Sequence, residues 1–400
     1  MKKLLFLGGS IQQTPALKYA KKRGYYCILC DFLSDNPGRD YADEYHLVST
    51  TDQEEVLRIA KQTKIDGIIA FASDPAAPTA AYVGNELNLP SNPYESVRIL
   101  TKKDLFRKFL KKHGFNCPKA ESFYYKEEAI RELEKLEFEY PLMVKPIDSS
   151  GSKGVNRINS INELDEAFEL ALVNSKEKIV IIEEFIEMGH KHMIGGDGFV
   201  INGELKFNGF LNCHRSKNLS PYVPIGKSYP LFLDNEKINL AKKEIEKVLR
   251  ILGITMGALN LELMFDKRGR LYIIEIGPRN GGNMIPDLLE MITGVNLIAA
   301  TVEAALGNEI KIIDDMPNES YYSIYVIHSA EKGNLVKLDL KQEIQKNIVK
   351  NIIYKEIGSK VDIFDGANKA LGIIFLKFDN LEELQDKMDN MNNFVEVEVL

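Results

Sequence analysis

Met256–Asn283 reads MGALNLELMFDKRGRLYIIEIGPRNGGN, and its two apolar runs flank Asp266-Lys267-Arg268-Gly269, a group of turn formers. The stretch therefore predicts a β-hairpin. On the first strand Leu259, Leu261, Leu263 and Phe265 share one face by the period of two, leaving Asn260, Glu262 and Met264 on the other. With an even-numbered loop, Glu262 falls opposite Ile273 and diagonal to Glu275, on the same face. Two carboxylates among Leu and Ile repel each other and are costly to desolvate unless a cation lies between them. Hard oxygen ligands on a rigid hairpin suit Mg2+, which takes one or two protein carboxylates and leaves its other positions to water and phosphate. The competing reading is a surface hairpin with solvated glutamates.

Outward from the hairpin, 400 residues suffice for two or three domains with substantial cores. The formal charge of −7 argues against a nucleic-acid partner, which needs concentrated Lys and Arg. No run of about 18 apolar residues exists, so no membrane span is expected. The opening MKKLLFLGGS has too short an apolar run for a signal peptide and reads as a first strand, which predicts a cytoplasmic protein. Cys27 and Cys30 form a CxxC inside the strand-like YYCILCDF, where positions three apart face opposite ways. They read as core thiols rather than as a metal or redox pair.

Residues 1–97 alternate strand and helix: KLLFLGG, a helix opened by Thr14-Pro15 and stopped at Gly24, YYCILCDF, the helical LRIAKQT, and DGIIAFA as a third strand. This predicts a parallel sheet with right-handed crossovers. The Gly8-Gly9-Ser10 turn with Asp31 hints at dinucleotide binding, but Gln13 stands where the third glycine of GxGxxG belongs. Asp74-Pro75 reads as a turn.

TKKDLFRKFLKKHG, residues 101–114, is a basic amphipathic helix with Leu105, Phe109 and Leu110 inward. A strand from Tyr140 ends on Lys145-Pro146. Asp148 to Val155, DSSGSKGV, then offers small residues that let a backbone approach a phosphate, with a lysine to neutralise it. Ile179 to Ile186 reads as a strand that breaks into an extended connector with free N–H and C=O groups, suited to an adenine edge. His190 and His192 flank Lys191 before Gly195-Gly196-Asp197-Gly198; with no third ligand evident, these read as solvated turns. Residues 208–232, rich in Ser, Asn and Pro, read as a long substrate-side loop. A helix from about Glu236 to Leu252 leads into the hairpin. The tail reads as a small α+β lobe with strands at YYSIYVIHS, ALGIIFLKF and FVEVEV and a helix opened at Asp379 or Asn380.

In order and spacing these features resemble the ATP-grasp superfamily, which includes biotin carboxylase, carbamoyl phosphate synthetase and carboxylate–amine ligases. The resemblance implies α/β and α+β units: a Rossmann-like leading domain (1–97), an ATP-grasp domain (98–315, with a lid subdomain at about 117–186) and a C-terminal α+β lobe (316–400). It implies that Lys103 and Lys145 meet the ATP phosphates. The loop around Ser150, Gly151, Ser152 and Gly154 would close over them with Lys153 pointing in. Residues Glu183, Glu184, Phe185 and Ile186 would form the adenine-reading hinge, with the Glu183 carbonyl and the Ile186 amide making the contacts. By the same resemblance Glu262 and Glu275 hold Mg2+, with Mn2+ as a substitute, and Arg279 stabilises an acyl phosphate. Arg215 and Asn280 would join it around the acceptor.

Many members carry Asn two residues after the second glutamate, where this chain has Gly277. The departure leaves Asn283 or water to compensate. The implied activity is ATP-dependent amide formation from a carboxylate and an amine through an acyl phosphate. Alternatives are a bicarbonate-using carboxylase and a non-catalytic nucleotide-binding protein. The remaining expectations are no nucleic-acid or membrane partner and a homodimer.

Overall fold

The computed structural model describes residues 1–216, 219, 221–312, 316–317 and 319–400. Its first unit holds β1 (Lys3–Leu7), α1 (Thr14–Lys22), β2 (Tyr26–Asp31), β3 (Glu44–Leu47), α2 (Gln53–Thr63), β4 (Gly67–Ile69), α3 (Ala77–Glu86), α4 (Tyr94–Thr101) and α5 (Lys103–Lys112). The sheet is parallel in the order β3-β2-β1-β4. The predicted third strand is the fourth, because the short β3 follows YYCILCDF. Cys27 and Cys30 are free and buried in this sheet, and burial pushes both thiols up to about 12.

The dinucleotide hint fails for a local reason. Gln13 folds back into the glycine turn: its Oε1 accepts from Ser10 N at 2.8 Å, and its Nε2 donates to the carbonyls of Leu7 and Phe71. Asp31 caps Gly9 N at 2.8 Å. The turn is filled by its own side chains.

A second unit contains β5 (Ala120–Phe123), α6 (Lys126–Lys135), β6 (Leu142–Pro146), β7 (Asn156–Ile158), α7 (Leu164–Asn174) and β8 (Val180–Glu184). Its strands form a separate antiparallel sheet, β5-β8-β6-β7, around a core that includes Phe123, Phe138, Val144, Phe168 and Ile182.

The rest is built on an eight-stranded sheet, with a further three-stranded sheet in the tail. The central part supplies β9 (Met193–Ile201), β10 (Glu204–Arg215), β11 (Pro224–Tyr229), α8 (Asn235–Leu252), β12 (Met256–Phe265), β13 (Leu271–Gly277), α9 (Ile285–Thr293) and α10 (Leu297–Ala305). The tail supplies β14 (Tyr322–Ile327), β15 (Gly333–Leu340), α11 (Gln342–Gln345), β16 (Ile348–Ile353), β17 (Lys360–Val361), β18 (Gly372–Lys377), α12 (Leu381–Asp389) and β19 (Val395–Val399). The strand order, β13-β12-β9-β10-β11-β14-β18-β16, runs without a break from the central part into the tail. Three tail strands, β14, β18 and β16, thus extend the central sheet, while β17, β15 and β19 form a sheet of their own. The expected boundary at 315/316 adjoins residues 313–315, which lie outside the described residues.

Two expectations are overturned here. Gly195-Gly196-Asp197-Gly198 is not a turn but the middle of β9, paired on both sides. Small residues are needed there, since a Cβ on Gly196 would lie 1.9 Å from the Gly209 carbonyl oxygen. Residues 208–232 are mostly strand, as β10 and β11 occupy Asn208 to Arg215 and Pro224 to Tyr229. Ser and Asn suggested loop, but they sit in the ladder: Asn212 Nδ2 donates to the carbonyls of Ser228 and Pro230. Residues 216, 219, 221–223 and 230–232 lie outside these strands, and 217, 218 and 220 lie outside the described residues.

The opening hairpin is β12–β13. Its Leu259, Leu261, Leu263 and Phe265 face packs with Phe106, Phe109 and Leu110 of α5 and Ile245 and Leu249 of α8, burying the apolar side that the period of two assigned.

Candidate active site

The two glutamates are brought together by an irregularity. Phe265↔Leu271, Met264↔Tyr272 and Leu263↔Ile273 follow a regular register, which would continue as Glu262↔Ile274. Instead the register shifts, and Glu262 stands opposite Glu275. The expected partner of Glu262, Ile273, faces the core. Ile274 is the extra residue of a β-bulge; in a regular ladder that paired Ile274 with Glu262, Glu275 would stand opposite Leu261 and point into that core with Ile273. The bulge leaves the Ile274 carbonyl outside the ladder, where Arg107 Nη1 donates to it at 3.0 Å. Burial pushes the Glu275 carboxyl above the usual carboxylate range; the Asp74 and Glu262 carboxylates push the same way, and Lys103 opposes them.

Across the cleft stands a buried cationic cluster. Lys103 and Arg107 lie one turn apart on α5, so they share a face. Lys103 Nζ donates to the Ser149 carbonyl at 2.8 Å. Arg107, only 4% exposed, donates from Nε to Glu183 Oε2 at 2.8 Å. Lys145 on β6 pairs with the other Glu183 oxygen. Met143 is the residue directly opposite Glu183, so Lys145, two positions on, reaches it diagonally. Burial works against charge on Glu183, but the Arg107 and Lys145 cations outweigh it and hold the carboxyl down at about 2. Burial also lowers the Lys145 ammonium, with Glu183 opposing. The resemblance led to the expectation that the Glu183 carbonyl reads adenine; what the structure shows is its side chain orienting two cations. Glu183 is a strand residue paired to Ala120 and Met143, and the irregular connector begins only at Phe185.

These groups line one cleft. Lys103, Lys145, Ser150, Gly151, Ser152, Glu183, Glu184, Phe185, Ile186, Arg215, Glu262 and Glu275 all reach it. Met143, Val155, Met193, Met264 and Ile274 supply apolar walls. The donor set at Glu262–Glu275, two oxygens on a rigid buried ladder facing a cationic wall, fits a hard dication that also contacts phosphate.

Four expected residues lie elsewhere. Lys153 is exposed, with its chain beside Gly366, so it does not point into the cleft. Left-handed backbone at Gly151 and Ser152 turns the loop so that Ser152 Oγ donates to the Tyr222 carbonyl at 2.9 Å while Lys153 swings out. Gly154 sits against Leu170 and Ala171 of α7. Arg279 and Asn280 line a different cavity, between β4, α3 and the base of β12, and so are separated from Arg215. Asn280 is fully buried, its Oδ1 accepts from Thr301 Oγ1 at 3.0 Å, and its Nδ2 has no partner.

Arg279 is held by a residue read as a plain turn. Its Nε donates to Asp74 Oδ1 at 2.7 Å and its Nη2 to Asp74 Oδ2, a bidentate pair with both groups largely buried. This pair also accounts for Gly277. A Cβ there would meet Asp74 Oδ1 at 2.7 Å and the Arg279 guanidinium at 3.3 Å, so the space an asparagine would need is taken. Asn283 does not compensate, because its N–H donates to Gln12 Oε1 at 2.8 Å and its Oδ1 accepts from Gln12 Nε2.

Comparison with known proteins agrees with this geometry. Residues 138–287 match the ATP-grasp domain family. The carbamoyl phosphate synthase large chain of Thermoanaerobacter sp. (strain X514) is 26% identical over 263 residues, 64% of this chain but 23% of that one, so the present chain spans about a quarter of its length. The formate-dependent phosphoribosylglycinamide formyltransferase of Prochlorococcus marinus (strain NATL1A) is 23% identical over 97% of this chain and 96% of its own. The L-amino acid ligase of Bacillus licheniformis superposes with a TM-score of 0.84 at 22% identity, covering 100% of this chain and 99% of the other.

Proposed function

We propose that this chain, whose residues 138–287 match the ATP-grasp domain family, is an ATP-dependent ligase that joins a carboxylate to an amine through an acyl phosphate. The observation that carries the reading is the meeting of Lys103, Lys145 and the Glu262–Glu275 pair in one cleft with the 183–186 connector. The adenine would lie against the connector and the Met264 and Ile274 walls, and the triphosphate would run between the lysines and the carboxylate pair. Glu262 and Glu275 would hold Mg2+, which supplies positive charge where the transferring phosphoryl oxygens gather negative charge.

In the first step a substrate carboxylate oxygen attacks the γ-phosphorus, and the bond to the bridging oxygen breaks to release ADP. Lys103 and Lys145 are prepositioned for the charge that develops, the term expected to dominate phosphoryl transfer. In the second step the amine attacks the acyl carbon, phosphate leaves, and the nitrogen loses a proton. Closure of the 148–155 loop would bring Lys153 inward and keep water from the acyl phosphate. Arg279 and the unpartnered Asn280 amide are the groups that would meet the carboxylate or amine, and we assign the acceptor to their cavity.

A second reading, in which the carboxylate is formate or bicarbonate, is favoured by the whole-length match to a formate-dependent enzyme. One assay separates the readings: ADP release against a panel of carboxylates, formate and bicarbonate included, with and without amines. Amine-dependent turnover with an amino acid supports the ligase. Formate- or bicarbonate-dependent turnover supports the second reading, and tight ATP binding with no turnover on any pair would leave only a nucleotide-binding module.

A further inference from the structure

His190 and His192 look alike in sequence, yet the fold separates them. His190 Nε2 accepts the Phe265 N–H at 3.0 Å and is spent. His192, one residue before β9, is turned the other way, and its ring lies 4.3 Å from that of His214 near the end of β10, the two planes tilted by 45°. Asp389, the last residue of α12, completes the group. One ring nitrogen of each imidazole and one Asp389 oxygen lie within 4.8 Å of one another. No other group of three such residues with this spacing occurs among the described residues.

We propose that His192, His214 and Asp389 form a binding site for a transition-metal dication of the Zn2+ class, distinct from the carboxylate pair of the nucleotide cleft. Three features carry this. First, His192 Nε2 is buried and has no hydrogen-bond partner, which leaves an imidazole nitrogen free to take a metal. His214, 4% exposed, has Ser228 Oγ 2.8 Å from its Nε2, an outer partner of the kind that orients a ligating ring and leaves its other nitrogen for metal. Second, Asp389 ends α12, where the helix dipole disfavours a carboxylate. A cation relieves that cost. Its present partner is the Lys191 ammonium at 2.5 Å, in a pair with both side chains about half exposed, which a metal can displace readily. Third, the chemistry selects the ion: two imidazoles and one carboxylate suit Zn2+, Co2+ or Ni2+, whereas Mg2+ and Ca2+ prefer all-oxygen shells.

Ligand atoms around a tetrahedral metal stand about 3.4 Å apart, so the site must contract slightly. The exposed Asp389 side chain can supply that movement. The group opens onto a cavity that also reaches Phe185, Ile186 and Arg215. A metal here would tie the tail helix α12 to the strands directly behind the nucleotide connector.

The test uses the untagged, chelator-treated protein in excess Mg2+, titrated with Co2+ by visible absorption and with Zn2+ by calorimetry. The expected result is one Co2+ per chain with the intense bands of four- or five-coordination, and a rise in unfolding temperature with Zn2+. His192→Ala and Asp389→Asn should each weaken binding about tenfold or more and abolish the bands. Asp389 is exposed, so its variant keeps the fold and makes the test decisive even if His192→Ala proves unstable. Absence of stoichiometric binding, or binding and bands that survive Asp389→Asn, would overturn the proposal.

Discussion

Glu183 is where the physical chemistry of single residues is most exposed to test. Its carboxyl is held near 2 against an ordinary value of 4.5, so its ion pairs stabilise the fold fully above about pH 4.5 and that contribution is lost as pH falls through about 2. Glu183→Gln strands Arg107 without its buried counter-charge, and we expect a loss of about 3–5 kcal/mol in chemical denaturation at pH 7. Asp197 has the opposite sign. Burial raises it to about 6, against hydrogen bonds from Gly281 N and Asn260 Nδ2. The stability tied to its neutral form is present below about pH 4 and lost as pH rises through about 6, on the order of 3 kcal/mol. Asp197→Asn should flatten that part of the stability–pH curve measured by thermal unfolding, and an unchanged curve would refute the assignment. Glu275→Ala should lower Mg-ATP turnover on the order of a hundredfold or more while the circular dichroism stays native; a fully active variant would remove the metal role. The pairing of Glu262 with Glu275 could be suspected from the hairpin pattern, whereas Lys103 and Lys145 were picked out by the family resemblance alone. Arg107 was not, since α5 carries five basic residues and nothing local says which one turns inward. Asp74 was hidden because its partner lies 205 positions away.

Among the elements, the hairpin was legible as a hairpin, and its apolar face was assigned correctly. Its register was not, because a bulge leaves no mark in a run such as Leu271-Tyr272-Ile273-Ile274-Glu275, where every residue before the glutamate is apolar or aromatic. The strands β9 and β10 were misread because glycine and asparagine normally signal turns. Here they answer to crowding between neighbouring strands, a tertiary cause. The 148–155 loop yields a kinetic prediction at this scale. Lys153 lies outside the cleft while Lys145 lies within it, so Lys145→Ala should weaken ATP binding by about tenfold or more in calorimetry. Lys153→Ala should leave that affinity within about twofold and instead lower kcat, because its charge would count only after closure. Equal effects of the two variants on affinity would rule out a separate closing role for Lys153.

At the scale of the whole molecule, the nucleotide would lie between the small sheet β5-β8-β6-β7 and the eight-stranded sheet, so its binding should couple the two. A ligand at about a hundred times its dissociation constant adds about 2.7 kcal/mol to stability, which predicts a rise in unfolding temperature with Mg-ADP that EDTA reverses. The alternating pattern of the first 97 residues was enough to read its parallel sheet. The eight-stranded sheet was not readable as one object, since β11 and β14, which pair through Gly226↔Tyr325 and Ser228↔Ser323, are separated by α8, the hairpin, α9 and α10. That pairing also limits how the molecule can be divided or borrowed. A fragment ending near residue 315 would keep every residue of the nucleotide cleft, yet it would expose the full hydrogen-bonding edge of β11, an invitation to intermolecular strand addition. The nucleotide-binding part is thus no portable cassette: a gene fusion, a truncated expression fragment or a recombination event that cuts there inherits a sticky margin, and must carry β14, β18 and β16 along to remain soluble.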